Sequence, residues 1–117
     1  MKIQVTTDNH TMKTPELKKH VEDALETALK RFGDRVTRVE VHLSDENSSV
    51  KNSDTDKRCV MEARLAGLQP MAVTAEAAAI EKAIADAAEK LERRIGSTVD
   101  RLNDPKGRTS FAGEVVP

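Results

Sequence analysis

A chain of 117 residues suits a single domain, and its 38% of hydrophobic residues are enough for one modest core. The formal net charge of −1 argues neither for nor against a polyanionic partner, and because nucleic-acid binders usually show a basic excess, such a role would require a local patch of bases. The only cysteine, Cys59, excludes an intrachain disulfide, and no segment has the signal-peptide pattern or the ~20 apolar residues of a membrane span. These features predict a cytoplasmic protein that does not associate with membranes.

The first 33 residues predict a strand followed by a helix. Residues 2–7 alternate between apolar and polar side chains, which is the period of a half-buried strand. Thr14 and Pro15 then supply an N-cap hydroxyl and a favourable first helical residue. An apolar stripe follows at helical spacing, formed by Leu17, Val21, Ala24, Leu25, Ala28, Leu29 and Phe32. Gly33 is predicted to end this helix.

The middle of the chain predicts three more strands. Alternation returns over residues 36–44 and again over residues 57–66, with Cys59 on the apolar face of the latter. The polar residues 45–56 between them predict a long hairpin loop. A turn at residues 67–70 leads into a short fourth strand, whose apolar side chains are Met71, Val73 and Ala75.

A second helix is predicted from about Ala77 to Ile95, and its extension to Leu102 is left open. Its apolar stripe consists of Ile80, Ala83, Ile84, Ala87, Ala88, Leu91 and Ile95. Gly96 either ends this helix or only weakens it, by about 1 kcal/mol relative to alanine. Breaker residues follow, and residues 103–117 are predicted to be a disordered tail.

The order β-α-β-β-β-α predicts an α+β fold for residues 1–102. Each strand has one apolar and one polar face, and both helices are amphipathic. The economical arrangement packs both helices on one face of a four-stranded sheet and leaves the other face exposed to solvent. The first two strands can pair in parallel through a right-handed crossover, and the last three form an antiparallel meander.

Catalytic and metal sites are not supported by any motif. The three histidines, His10, His20 and His42, show no metal-ligand spacing with one another or with Cys59. The chain has no glycine-rich phosphate loop and no nucleophile elbow. We therefore expect neither an enzyme nor a cofactor, a metal or a small-molecule substrate; a small enzyme using carboxylates remains a third alternative that lacks a convergent site.

Basic residues on the two predicted helices are the remaining candidates for a function. The open sheet face lacks the aromatic side chains that stack on RNA bases, which argues against that mode of binding. The candidate phosphate ligands are Lys30, Arg31, Lys82, Lys90, Arg93, Arg94 and Arg101, with Arg35 nearby. Composition alone favours a solvated face laced with ion pairs, because Asp86, Glu89 and Glu92 lie among these bases.

Several strings, in a shared order, resemble the ribosome hibernation-promoting factor family, which includes ribosome-associated inhibitor A and was once called sigma-54 modulation protein. The strings are Thr14-Pro15-Glu16-Leu17, His20-Val21, Val39-Glu40-Val41-His42-Leu43, Val73-Thr74-Ala75-Glu76, Ala83-Ile84 and Lys90-Leu91-Glu92-Arg93-Arg94-Ile95. The resemblance spans about residues 1–102 and corresponds to the short form, without a C-terminal dimerisation domain.

The resemblance implies a non-catalytic protein that binds 16S rRNA in the decoding region of the small ribosomal subunit. Such a protein blocks mRNA and tRNA during stress or stationary phase. By position, Lys30, Lys90 and Arg93 match bases of the family, and Arg94 replaces a usual glutamine. At the position of a lysine in the first helix of the family, this chain has Thr27. The missing lysine and the near-neutral charge leave an alternative open, which is a divergent domain of the same fold that binds a protein partner. The oligomeric state is not predicted.

Overall fold

A computed structural model describes residues 1–8, 11, 13–45 and 57–103. The four strands are β1 (Lys2–Thr7), β2 (Val36–Asp45), β3 (Lys57–Leu65) and β4 (Met71–Ala77). The two α-helices are α1 (Pro15–Ala28) and α2 (Ile80–Asn103), and a 3₁₀ segment, Lys30–Arg35, lies between α1 and β2. The predicted hairpin loop lies largely outside the described residues, and so does the tail beyond Asn103.

The strands form one sheet in the order β1-β2-β3-β4, which leaves β1 and β4 as the two edges. The pairing of β1 with β2 is parallel, as the helical crossover requires, and the other two pairings are antiparallel. Buried side chains alternate with more exposed ones along β2 and β3, which places the core on one face of the sheet. The predicted α+β fold and its order of elements are confirmed.

Helix α1 begins where the sequence predicts but ends earlier. The Thr14 hydroxyl accepts a hydrogen bond from the Leu17 backbone N–H at 3.0 Å, so the N-cap is formed. The α-helix ends at Ala28 rather than at Phe32, and the stripe is completed by the 3₁₀ segment, in which Phe32 is 95% buried. Gly33 has φ of 54°, the left-handed conformation that turns the chain toward β2.

Helix α2 begins later and runs further than its most conservative prediction. Ala77 pairs with Lys57 as the last residue of β4, so the helix begins only at Ile80. It continues through Gly96 to Asn103, which settles the question of Gly96 in favour of a tolerated glycine. Val99 is 94% buried and Leu102 is 57% exposed, so the apolar stripe reaches Val99.

Both helices pack their apolar stripes on the same face of the sheet. The side chains with the least solvent contact include Leu25 of α1, Met61 of β3 and Leu91 of α2. Cys59 belongs to this core, as its place in the alternation predicts, and burial raises the pKa of its thiol to about 12. Such a group is an apolar filler rather than a nucleophile.

Candidate nucleic-acid interface

Two of the predicted bases extend from α2 over the outer edge of β4. Lys90 donates a hydrogen bond from Nζ to the Thr74 carbonyl at 2.8 Å, and Arg94 donates from Nη1 to the Ala72 carbonyl at 3.3 Å. These carbonyls belong to an edge strand, and on their side no further strand of the described sheet pairs with them. Both bases remain exposed, so their charge lies along a seam between α2 and β4.

The guanidinium of Arg31 packs against α2. Its guanidinium pairs with the Glu92 carboxylate at 3.0 Å and lies 4.5 Å from the centre of the Phe32 ring. A Cβ built on Gly96 would collide with the Arg31 Nη2 atom, so the glycine makes room for the guanidinium beside the helix backbone. Arg31 therefore joins the 3₁₀ segment to α2, and only part of its charge is available to a ligand.

Lys82 and Arg93 form ion pairs within α2. Lys82 binds Asp86 at 2.9 Å, and the hydrogen bond and charge of Asp86 raise the pKa of Lys82. Arg93 pairs with Glu89 at 3.3 Å, as the spacing of four residues predicts. Asp86 has the same favourable spacing to Lys90, but Lys90 extends toward β4 instead. Exposed pairs of this kind contribute little to stability, and an incoming phosphate can compete for the base.

The chain topology brings most of the bases to one end of the domain. Helix α1 runs back along the sheet and delivers the 3₁₀ segment to the start of β2, where the Arg35 carbonyl accepts from the Ala66 N–H at 3.0 Å. Helix α2 runs antiparallel to β4, because Lys90 lies by Thr74 whereas Arg94 lies by Ala72. Both helix C-termini therefore lie at this end, where the helix dipoles favour positive charge.

We define the basic end by its members on both layers. From the helix layer come Lys30, Arg31, Arg35, Arg94 and Arg101; from the open sheet face come Lys2, Arg38 and Arg64. Asp34, Glu92 and Asp100 lie among them. Within the described ranges, the side chains of Lys30, Arg35, Arg64 and Arg101 have no hydrogen-bond or ion-pair partner. Their charge can be neutralised by a polyanion without the loss of any internal contact.

The bases on the sheet form a row that the sequence analysis did not single out as a site. Lys2 lies opposite Arg38 in the parallel pair, and Arg38 lies opposite Arg64 across a bulge in the antiparallel pair. Arg38 also binds Glu40 at 2.9 Å and donates to Gln4, so its charge is partly compensated. The sequence feature that could have predicted this row is the position of each base near a strand terminus, because these termini lie at the same end of the sheet.

The structure therefore divides the predicted set. Lys30, Arg31, Arg94 and Arg101 lie at the basic end, and Lys90 and Arg93 continue from it along α2. Lys82 lies in the first turn of the helix, about 28 Å from Arg101 along the axis at 1.5 Å per residue, and it is paired with Asp86. A continuous ridge across both helices is not formed, since Asp23, Glu89 and Glu92 line the groove of about 470 Å³ between them.

Other kinds of site find little support in the described part of the chain. No group of three or more His, Cys, Asp and Glu side chains could hold a metal ion among these residues. Within the same ranges, neither helix combines the length and the apolar character needed to cross a bilayer. His10 lies outside the described residues. What the described side chains offer is a cluster of cations on a rigid layer of helices and strands.

Comparisons with known proteins identify a family and solved structures with a similar fold. A family model described as sigma 54 modulation protein / S30EA ribosomal protein matches residues 3–103. A ribosomal subunit interface protein from Coxiella burnetii superposes with a TM-score of 0.69 at 19% identity, covering 86% of this chain and 99% of that one. The N-terminal domain of Protein Y from Thermus thermophilus gives a TM-score of 0.68 at 20% identity, covering 84% and 99%. Among curated proteins, no significant match is found.

Proposed function

The chain belongs to the sigma 54 modulation protein / S30EA ribosomal protein family, and we propose that it is a cytoplasmic, ribosome-associated regulator of translation. The match of the family model over residues 3–103 carries the proposal, because it covers nearly all of the described fold. In the finer form of the proposal, the domain binds 16S rRNA in the decoding region of the small subunit. It occludes mRNA and tRNA there during stress or stationary phase.

Recognition would rest on phosphate contacts rather than on base stacking. The open face of the sheet carries charged side chains such as Arg38, Glu40 and Arg64 in its central strands, and the sequences of β2 and β3 contain no aromatic side chain of the Phe, Tyr or Trp type. Cations on a rigid surface bind the regularly spaced phosphates of folded RNA, and binding then releases counterions. The proposed contacts are Lys30, Arg31, Lys90, Arg93, Arg94 and Arg101, with Lys82 as the weakest candidate because of its distance and its partner Asp86.

Inhibition would be steric and would need no chemistry. A domain held on the small subunit at the decoding region excludes the messenger by its volume alone. This mechanism requires only sufficient affinity, which salt-sensitive contacts at the basic end can supply.

A binding competition tests this proposal. Purified small subunits are incubated with a labelled mRNA and then with the intact protein, and displaced mRNA is measured by filter binding. The wild-type chain should displace the mRNA, and a variant with Lys90→Glu and Arg93→Glu should require a much higher concentration. Lys19→Glu is the matched control, since Lys19 is an exposed helical lysine of α1 paired with Asp23 and outside the proposed surface. Full displacement by the double variant would refute the proposed contacts.

A second candidate, a protein-interaction module of the same fold, is favoured by one observation. Three of the proposed bases, Arg31, Lys82 and Arg93, are paired with acids of α2. A mixed surface of this kind suits a protein partner better than a bare phosphate backbone. A pull-down from lysate that recovers one stoichiometric protein without ribosomal RNA would support this candidate against the ribosome.

A further inference from the structure

The two edge strands of the sheet differ in whether side chains pair with their outward-facing backbone groups. On β4, Lys90 and Arg94 donate to the outward carbonyls of Thr74 and Ala72, which blocks the addition of another strand. On β1, no described side chain donates to the backbone of Lys2–Thr7. The Asp8 N–H donates to the Leu43 carbonyl at 3.1 Å, toward β2. Backbone groups of successive residues point to alternate sides of a strand. Since the Asp8 N–H points toward β2, the N–H and C=O groups of Ile3, Val5 and Thr7 point away from β2 and out of the sheet.

A groove runs beside the β1 edge. It has a volume of about 550 Å³ and is lined by all six residues of β1 together with Lys13 and Lys18. Ile3 is only half-buried, whereas Val5 is 97% buried, so the groove has an apolar contact near one end. Within the described ranges, the amino groups of Lys2, Lys13 and Lys18 have no hydrogen-bond or ion-pair partner.

We propose that the β1 edge binds an extended, acidic peptide segment of a protein partner, which adds to the sheet as a fifth strand. The outward N–H and C=O groups of alternate residues recur every ~6.6 Å and need a partner with both donors and acceptors at that spacing. The unpaired lysines select carboxylate side chains on the added strand. This surface lies along the edge strand opposite β4. It shares Lys2 with the basic end but none of the rRNA contacts proposed above, and the inference does not rest on the proposed ribosome binding.

Two other occupants fit this edge less well. An RNA strand offers the lysines its phosphates but gives few donors to the outward carbonyls of β1. A second copy of this chain would bring Lys2, Lys13 and Lys18 against the same three lysines, which is a repulsive arrangement. An acidic peptide satisfies both the backbone and the charge.

The test titrates the full chain with a synthetic peptide probe, Ac-Thr-Glu-Val-Glu-Val-Glu-Thr-amide. Binding is followed by the NMR chemical shifts of the backbone amides of the protein. We expect saturable binding with perturbed amides concentrated in β1 and α1. The same peptide with alternate amides N-methylated keeps its charge but cannot pair as a strand, and it should not bind. An oligouridylate of equal charge should leave the amides of Val5, Thr6 and Thr7, which lie away from the basic end, unchanged.

Protein variants test the charge requirement. The double variant Lys13→Glu/Lys18→Glu should lower the affinity for the peptide probe by about tenfold or more. Lys19→Glu should leave this affinity within about twofold of the wild-type value. All three lysines are exposed, so the substitutions leave the core intact. The proposal is overturned if the probe does not bind, or if the N-methylated peptide binds equally well. It is also overturned if Lys19→Glu weakens binding as much as the double variant, or if the oligonucleotide perturbs the amides of Val5, Thr6 and Thr7.

Discussion

The packing of the Arg31 guanidinium against Gly96 leads to a testable prediction for the substitution Gly96→Ala. A glycine inside a helix costs about 0.8–1.0 kcal/mol relative to alanine, so replacing it should stabilise α2 by that amount. The new methyl group would displace the Arg31 guanidinium, which ends a flexible side chain and can move away. The pair with Glu92, worth about 0.2–1 kcal/mol, and the contact with Phe32, worth about 0.5–1 kcal/mol, would then be lost. These losses offset the gain, and the net change should lie within about 1 kcal/mol of zero.

The same substitution should behave differently once Arg31 is removed. In an Arg31→Ala background the heavy atom nearest to the new methyl group is Cζ of Phe32, at an ordinary contact distance of 3.7 Å. Gly96→Ala should then stabilise the domain by about 1 kcal/mol, or raise Tm by roughly 4–8 °C. Urea unfolding of all four proteins gives the coupling energy between the two positions. Equal effects of Gly96→Ala in both backgrounds would refute the account of this glycine.

Three further predictions concern the core and the helix start. Leu91→Ala should lower the free energy of unfolding by about 2–5 kcal/mol, because this side chain has no solvent contact, whereas Leu102→Ala should change it by less than about 0.5 kcal/mol; both are measured by urea unfolding. Cys59 should resist a thiol reagent in the native state. Its raised pKa also means that unfolding releases a proton from this thiol between about pH 9 and pH 12. This contribution lowers stability with rising pH by up to about 1.4 kcal/mol per unit in that window, and Cys59→Ala should remove it. Thr14→Ala should cost about 1 kcal/mol in the same unfolding assay, since it leaves the Leu17 N–H without its cap; an unchanged midpoint would contradict this reading.

The periodicity of the sequence was enough to predict the sheet and its buried face. In β3 the alternation of Cys59, Met61 and Ala63 with more polar residues leaves only one face that can turn toward the helices. The crossover length then requires β1 and β2 to be parallel. These features are local or follow from chain connectivity, and the structure has them as predicted.

The end of α1 and the continuity of α2 depended on contacts that local sequence does not encode. Phe32 keeps helical spacing from Leu29, but the chain must tighten there to bury its ring and turn at Gly33 into β2. Gly96 is a helix breaker by propensity, yet its role depends on Arg31, which lies 65 positions earlier in the chain. No window around either residue contains that information.

The predicted site residues were identified by charge, but their partners were only partly predictable. The pair of Glu89 with Arg93 follows from spacing, whereas Lys90 bypasses Asp86 to reach a carbonyl of β4. That choice depends on where α2 crosses the sheet edge. The row of Lys2, Arg38 and Arg64 likewise depends on strand register, which brings three distant residues together.

The salt dependence of small-subunit binding tests most directly whether the basic end contacts ribosomal RNA. The logarithm of the affinity of purified small subunits is measured against the logarithm of the salt concentration for the wild-type chain, for Arg94→Gln/Arg101→Gln and for Lys82→Gln. The double variant should flatten the slope by about two units, and Lys82→Gln, at the opposite end of α2, should change it by less than one. An unchanged slope for the double variant, or an equal loss per residue for Lys82→Gln, would contradict the proposed contact of the basic end with ribosomal RNA.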